Sequence, residues 1–321
     1  MFAELSKSFA KTFLVGHLLP AILFLIFAKL CFAVADGTTF RAFFENLKKV
    51  DDLVDVTLFG LFLALLLATI NRELIRVYEG YSLGKLFGFR FWIPWALVNE
   101  RLRHKELTDG LASAGKKLGI LQYAIAKSLP ERANQVLATR FGNTIRAFER
   151  YSNVSYGFEA VEGTNRLTPL MDESVRDAIS WAKSKVDFWV NLSFLSLFGP
   201  LVWWLAMPAM ECREIAVAIA IALAASVLAI HLARQAAYEW GVNIKSGIDL
   251  TLPKLATTLG YAVPVDADEQ RKFWKALSQH FLLRSDQSLG LLQPYRHVDP
   301  PKPRPKKTAK ARMFPRKRAK P

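Results

Sequence analysis

The sequence predicts an all-α membrane protein: a four-helix transmembrane bundle with both termini inside the cell, a cytoplasmic helical domain and a disordered basic tail. Three observations lead to this prediction. Four apolar runs are long enough to cross a bilayer, the segments between them lack the alternation typical of strands, and the basic residues lie mostly outside the runs. The 321 residues are 52% hydrophobic yet carry a formal net charge of +15, which one soluble domain rarely combines.

The first transmembrane hairpin is predicted over residues 1–71, with spans at 12–35 and 53–71. At about 1.5 Å per helical residue, the first run reaches roughly 36 Å, which exceeds a hydrocarbon layer of about 30 Å. A cleaved signal peptide is the alternative, but its apolar stretch would be about 7–15 residues long. Because this run is longer and a second run follows closely, we favour a retained span.

A second hairpin is predicted over residues 188–237, with spans at 188–210 and 215–237. Only residues 211–214 separate these runs, and so short a link makes the two helices antiparallel neighbours. The Gly199-Pro200 pair predicts a kink in the third span, because proline removes a backbone donor and clashes with the preceding turn.

The distribution of Lys and Arg predicts the orientation, since basic loops resist translocation. The segment 72–185 holds 18 basic residues and the segment 238–321 holds 17, whereas the loop 36–52 holds three against four acidic residues. An even number of spans puts both basic segments on the same side as the N-terminus. We therefore expect a multi-pass membrane protein with both termini in the cytoplasm.

Two water-side segments are predicted to be helical, a cytoplasmic domain at 72–187 and a C-terminal segment at 238–300. Apolar residues from Leu107 to Ile125 recur at spacings of three and four, which places them on one helix face. Glycines interrupt this stripe, so a hairpin arm or domain helix is favoured over a coiled coil. Asp266 predicts the start of a later helix, because its carboxylate can accept an unpaired backbone N–H.

The segment 301–321 is predicted to be a disordered tail, since it has ten basic residues, five prolines and no acidic residue. Such a cluster is attracted to anionic lipid headgroups by about 1 kcal/mol per residue near the surface. Nucleic acid is the competing partner, through phosphate contacts, although base-stacking aromatics are not interleaved. A solvated tail that only reinforces the orientation is the third interpretation.

Motifs for catalysis, cofactor binding and metal binding are not found, so no catalytic residue, cofactor or metal ligand is predicted. The segment 110–117 follows the spacing of a phosphate-binding loop, but Lys117 stands where that loop needs a hydroxyl for magnesium, and no strand precedes it. The two cysteines also exclude a disulfide-stapled secreted domain.

Four polar residues, one from each span, are expected near the cytoplasmic ends of the helices: His17, Asn71, Asn191 and His231. Polar groups in lipid need partners, so these side chains should turn inward and could form a polar, proton-linked site. Ordinary interface residues, which tolerate polarity at little cost, are the alternative.

Four stretches resemble a family of bacterial multi-pass membrane proteins with no established activity. They are FLVGHLLPAILFL at 13–25, NRELIRVYEGY at 71–81, RFGNTIRAFERYSNVSYGFEAV at 140–161 and KVDFWVNLSFL at 185–195. In the family, Trp-Pro-Arg-Leu usually follows the Tyr-Gly pair, whereas this chain has Thr164 and Asn165 before the matching Arg and Leu. The resemblance covers most of residues 12–280; it implies the topology and no mechanism.

The third of these stretches predicts a surface where the cytoplasmic domain docks on the membrane bundle. Its spacing places six residues on one helix, and two of them, three apart, can pair. The six are Gly142, Asn143, Arg146, Glu149, Arg150 and Tyr151. We expect a membrane-anchored interaction or assembly protein, able to form homo-oligomers; a small oligomeric channel or transporter is the alternative.

Overall fold

A computed structural model of the chain describes residues 11–39, 43, 50–81, 92–113, 118–209, 211–284 and 286–296. The regular structure of these residues is entirely helical, which confirms the predicted all-α class. The predicted disordered tail, most of the first loop and the end of the phosphate-loop-like segment lie outside the described residues.

The α-helices are numbered here in chain order. They are α1 (Leu19–Ala35), α2 (Val50–Glu79), α3 (Trp92–Ser113), α4 (Leu118–Ser128), α5 (Arg140–Glu149), α6 (Tyr151–Tyr156), α7 (Ala160–Leu167), α8 (Glu173–Ser196), α9 (Gly199–Ala206), α10 (Cys212–Thr258), α11 (Ala267–Leu283) and α12 (Asp286–Leu292). A π-helical turn at Leu14–Leu18 precedes α1, and 3₁₀ turns cover Ala133–Gln135, Thr168–Leu170 and Gln293–Tyr295.

Three helical segments are long and apolar enough to cross a membrane: Lys11–Ala35, Val54–Glu79 and Cys212–Thr258. A fourth crossing results if α8 and α9 form one broken span. The axes of these two helices are bent by 42° at the residues before Gly199, so the kink predicted at Gly199-Pro200 is confirmed. The described residues thus contain three or four candidate membrane spans.

The candidate spans leave most of their apolar side chains on the outside. Only 17% of the most apolar window is buried in the first and third segments, and 28% in the second. Leu58 and Phe62 of α2 and Ile221 of α10 are examples of large, exposed apolar side chains. Exposing so much contiguous apolar surface to water would be costly, so this surface is suited to lipid.

The first of two cores lies between the spans. It contains Leu67 of α2, Val190 of α8 and Ala233 of α10, and it also takes in Phe141 and Phe148 of α5. The domain helix α5 therefore packs directly on the bundle.

The second core is formed by the end of α10 together with α7, α11 and α12. Phe158, Leu252, Phe273 and Trp274 are almost completely buried there. Asp266 caps α11 as predicted, because its carboxylate accepts from the backbone N–H groups of Asp268 and Glu269. Residues from both predicted water-side segments, 72–187 and 238–300, share this core.

Candidate functional site

A buried polar cluster begins at the π-helical turn before α1. Pro20 has no backbone N–H, so the carbonyl of Gly16, one turn earlier, lacks its usual helical donor. Asn191 of α8 supplies the donor: its Nδ2 lies 2.7 Å from the Gly16 oxygen, and the residue is completely buried. A neighbouring helix thus satisfies the backbone group that proline leaves unpaired, as membrane helices require.

His17 extends this cluster. Its Nδ1 lies 2.9 Å from the same Nδ2 of Asn191. An amide nitrogen only donates, so Nδ1 accepts, and the imidazole proton is on Nε2. The hydrogen bond therefore fixes one tautomer of His17.

Asp187 is the centre of a second group of contacts. Asn71 Nδ2 donates to its Oδ1 at 3.0 Å, and Lys183 Nζ lies 2.9 Å from Oδ1 and 2.7 Å from Oδ2. Asp187 is 5% exposed, and the side chain of Lys183 is much more accessible. A Cβ on Gly16 would lie 3.1 Å from the Asp187 Cβ, so the two groups of contacts adjoin each other.

The combined cluster contains His17, Asn71, Lys183, Asp187 and Asn191. The side-chain oxygens of the two asparagines are buried, and neither accepts a hydrogen bond from the described residues. Buried acceptors of this kind are commonly satisfied by water or a ligand. Chemically, the arrangement provides a carboxylate paired with the Lys183 ammonium, a neutral imidazole and two buried amide oxygens, a set suited to binding water or a proton.

The structure brings together three of the four residues predicted for a polar cluster, His17, Asn71 and Asn191. The fourth, His231, is exposed on α10 and takes no part in these hydrogen bonds. Sequence reasoning missed Asp187 and Lys183. Their signal was a Lys and an Asp four residues apart, directly before an apolar run.

The residues predicted to form a docking surface begin where α5 meets the end of α2. Thr139 Oγ1 donates to the Tyr78 carbonyl at 2.7 Å and accepts from the Gly142 N–H at 3.0 Å. It thereby satisfies a carbonyl in the last turn of α2 and an N–H in the first turn of α5, groups that helix ends leave unpaired. A Cβ on Gly142 would overlap the backbone of Glu79, so this close approach requires glycine.

Asn143 contacts the segment before α5 and the helix α3. It is completely buried; its Oδ1 accepts from the Leu137 N–H at 2.7 Å, and its Nδ2 lies 3.1 Å from Glu100 Oε2. Glu100 also pairs with Arg103 at 3.0 Å. Asn143 therefore ties α5 to α3.

Arg146 and Glu149 pair as predicted, with 3.3 Å between Nη1 and Oε2. Arg146 also lies over the ring of Tyr81. Burial raises the pKa of the Glu149 carboxyl, and the adjacent Arg146 opposes this shift.

Arg150 and Tyr151 face other partners. Arg150 lies 3.7 Å from Glu159, and the Tyr151 hydroxyl donates to Asp249 of α10 at 3.0 Å. Tyr156 donates to the same carboxylate at 2.9 Å. Burial, and then Asp249, raise the pKa of both tyrosines. The six predicted residues thus serve several contacts, with α2, α3, α7 and α10.

Comparison with known proteins finds no match for this chain among family models, curated proteins or solved structures. The family resemblance therefore stays a prediction. Among the described residues, no group of three or more His, Cys, Asp and Glu side chains is arranged to hold a metal ion.

Proposed function

We propose that this chain is a multi-pass protein of the bacterial inner membrane, with both termini in the cytoplasm, that acts as a membrane-anchored interaction or assembly protein. The observation that carries the proposal is an exposed apolar stripe on the α3–α4 arm, the hairpin formed by these two helices. Under the same proposal, the tail at 301–321 binds anionic lipid headgroups in preference to nucleic acid.

The α3–α4 arm is a hairpin because the end of α4 returns to α3. His104 of α3 is buried, and its Nε2 lies 3.0 Å from the carbonyl oxygen of Pro130, just after α4. Asn143 ties the same helix to α5, so the arm is attached to the helix that packs on the bundle.

Both helices of the arm carry exposed apolar side chains, which together are called the apolar stripe here. Trp95, Val98 and Leu102 follow one another at spacings of three and four, and each is more than half exposed. Ile120 of α4 is 75% exposed and Tyr123 is 66% exposed. Large apolar side chains grouped on a surface mark sites of protein association.

The charge of α3 argues against burial of the arm in lipid. Residues 100–109 contain six charged side chains, whose transfer into hydrocarbon would be expensive. We therefore assign the stripe to a second copy of this chain, which would bring two identical stripes together.

The proposal is tested by placing a charge in the stripe. We expect the wild-type protein in detergent to be oligomeric by light scattering, and Val98→Glu and Leu102→Glu to shift it to the monomer, because a buried, unpaired carboxylate opposes association. Val265→Glu is the matched control, since Val265 is fully exposed outside the arm. A wild-type monomer, or variants that remain oligomeric, would contradict the proposal.

A small oligomeric channel or transporter is the second candidate, favoured by the unpaired buried oxygens of Asn71 and Asn191 beside Asp187. Proton or cation flux in liposomes tests it. We expect His17→Ala to change the flux several-fold and His231→Ala to leave it unaltered, since only His17 belongs to the cluster. Absence of flux in the wild type, or equal effects of the two variants, would reject this candidate.

A further inference from the structure

A basic cavity of about 430 Å³ lies beside the second core. Four of the side chains that line it are basic: Arg166, His280, Arg284 and Arg296. Its volume lies within the range of small-molecule sites. The cavity is separate from both the polar cluster and the α3–α4 arm.

The three arginines reach the cavity from separate segments of the chain. Arg166 is in the last turn of α7, Arg284 directly follows α11, and Arg296 follows the last 3₁₀ turn. Arg284 and Arg296 are exposed, and two like charges that line one cavity attract an anion. Among the described residues, no carboxylate lines the cavity, and neither Arg284 nor Arg296 forms an ion pair.

Aromatic rings orient two of the guanidinium groups. Arg166 lies 4.1 Å from the centroid of the Phe281 ring, and Arg296 lies 5.8 Å from that of Tyr261. Stacking uses the face of a guanidinium, whereas its N–H groups donate in the plane. For Arg296, this placement leaves N–H groups in the guanidinium plane to donate to an anion.

The rest of the wall is apolar. Leu277 and Tyr261 belong to the second core, and Phe281 packs against it. A ligand that fills the cavity therefore needs an apolar part next to its anionic group. His280, whose Nδ1 lies 3.1 Å from Ser288 Oγ, adds a polar group to the same wall.

We propose that this cavity binds a phosphate group carried by a small apolar or aromatic body. The fork of donors on arginine matches phosphate oxygens, and the apolar wall accommodates the body. The phosphate could belong to a soluble phosphomonoester or to a lipid headgroup. This site does not depend on the function proposed for the arm.

The experiment uses the full-length protein in phosphatidylcholine nanodiscs and isothermal titration calorimetry. Phenyl phosphate represents the soluble source, dihexanoyl phosphatidic acid represents the lipid source, and phenol is the uncharged control. Arg284→Gln and Arg296→Gln each remove one charge from an exposed side chain, so the fold should persist. Lys272→Gln is the matched control, because Lys272 is exposed on α11 and does not line the cavity.

We expect saturable binding of at least one phosphate probe, weakened at least about tenfold by each arginine variant, with no binding of phenol. Lys272→Gln should bind like the wild type. The probe that binds more tightly identifies the source of the phosphate. Absence of binding by both probes, or affinities that the two arginine variants leave unchanged, would overturn the site.

Discussion

The carbonyl of Gly16 depends on a side chain from another helix, because Pro20 removes its own helical donor. We expect Asn191→Ala to destabilise the protein by about 1–3 kcal/mol, since it leaves this buried acceptor unpaired. Pro20→Ala restores a backbone N–H at position 20. In the double variant this N–H should replace the lost amide donor. The double variant should therefore be destabilised by about 1 kcal/mol less than the sum of the two single variants.

Unfolding of the detergent-solubilised variants in increasing SDS measures the coupling between Pro20 and Asn191. Asn71→Ala combined with Pro20→Ala serves as the control pair, because Asn71 contacts Asp187 and not the Gly16 carbonyl. Strict additivity in the Pro20–Asn191 pair, or equal coupling in both pairs, would show that Asn191 does not replace the missing donor.

The roles of single residues were only partly predictable from sequence. Polar residues inside apolar runs identify His17, Asn71 and Asn191, because lipid makes an unpaired polar group costly. Hydrophobic patterning does not show which face of a span turns inward, because a span is apolar on every side. His231 therefore looked equivalent to the others, yet it is exposed, whereas Asp187 lies at the end of a polar stretch and was not included.

Helices as elements were more predictable than their ends. Hydropathy locates the apolar stretch, but a helix continues wherever the backbone meets no obstacle. The helix α8 begins at Glu173, before the predicted third span, and continues into that span without a break as far as Ser196. The helix α10 continues far past the predicted end of the fourth span at 237: its 47 residues reach about 70 Å, roughly twice the hydrocarbon thickness.

Contacts between elements were the least predictable feature of the fold. The spacing from Leu107 to Ile125 identified helical structure, and the contact of His104 with Pro130 shows the hairpin. Two glycines allow α5 to pack on the bundle: Gly142 lies against the α2 backbone, and Gly241 leaves room for the ring of Phe148. The residues that meet at these contacts are distant in sequence, and hydrophobic periodicity does not show which helix packs on which.

At the scale of the whole molecule, α10 joins the two cores. Ile244 packs against both of them, and the Lys185–Glu239 and Lys254–Asp172 pairs, at 2.8 and 3.0 Å, tie α8 and its N-cap to α10 outside the apolar stretch. Exposed pairs of this kind contribute little individually. The shared helix and the shared packing therefore connect bundle and domain.

The orientation in the membrane is tested with the native cysteines. Cys212 is the exposed first residue of α10, next to the short segment that connects α9 to α10, whereas Cys31 is buried. If both termini are cytoplasmic, a membrane-impermeant maleimide added to intact cells should label Cys212. The label should disappear in Cys212→Ser, which retains Cys31, because a buried thiol is protected from the reagent.

The opposite face of the membrane provides the control for this labelling. In the Cys212→Ser background, Lys272→Cys places a thiol on the exposed side of α11. If both termini are cytoplasmic, the domain and its 430 Å³ basic cavity lie inside the cell. The new thiol should therefore react only after the membrane is permeabilised. Labelling of Lys272→Cys in intact cells, together with no labelling of Cys212 in the wild type, would show the opposite topology. The cavity would then face periplasmic phosphate compounds, and the positive charge of the domain would need a cause other than retention in the cytoplasm.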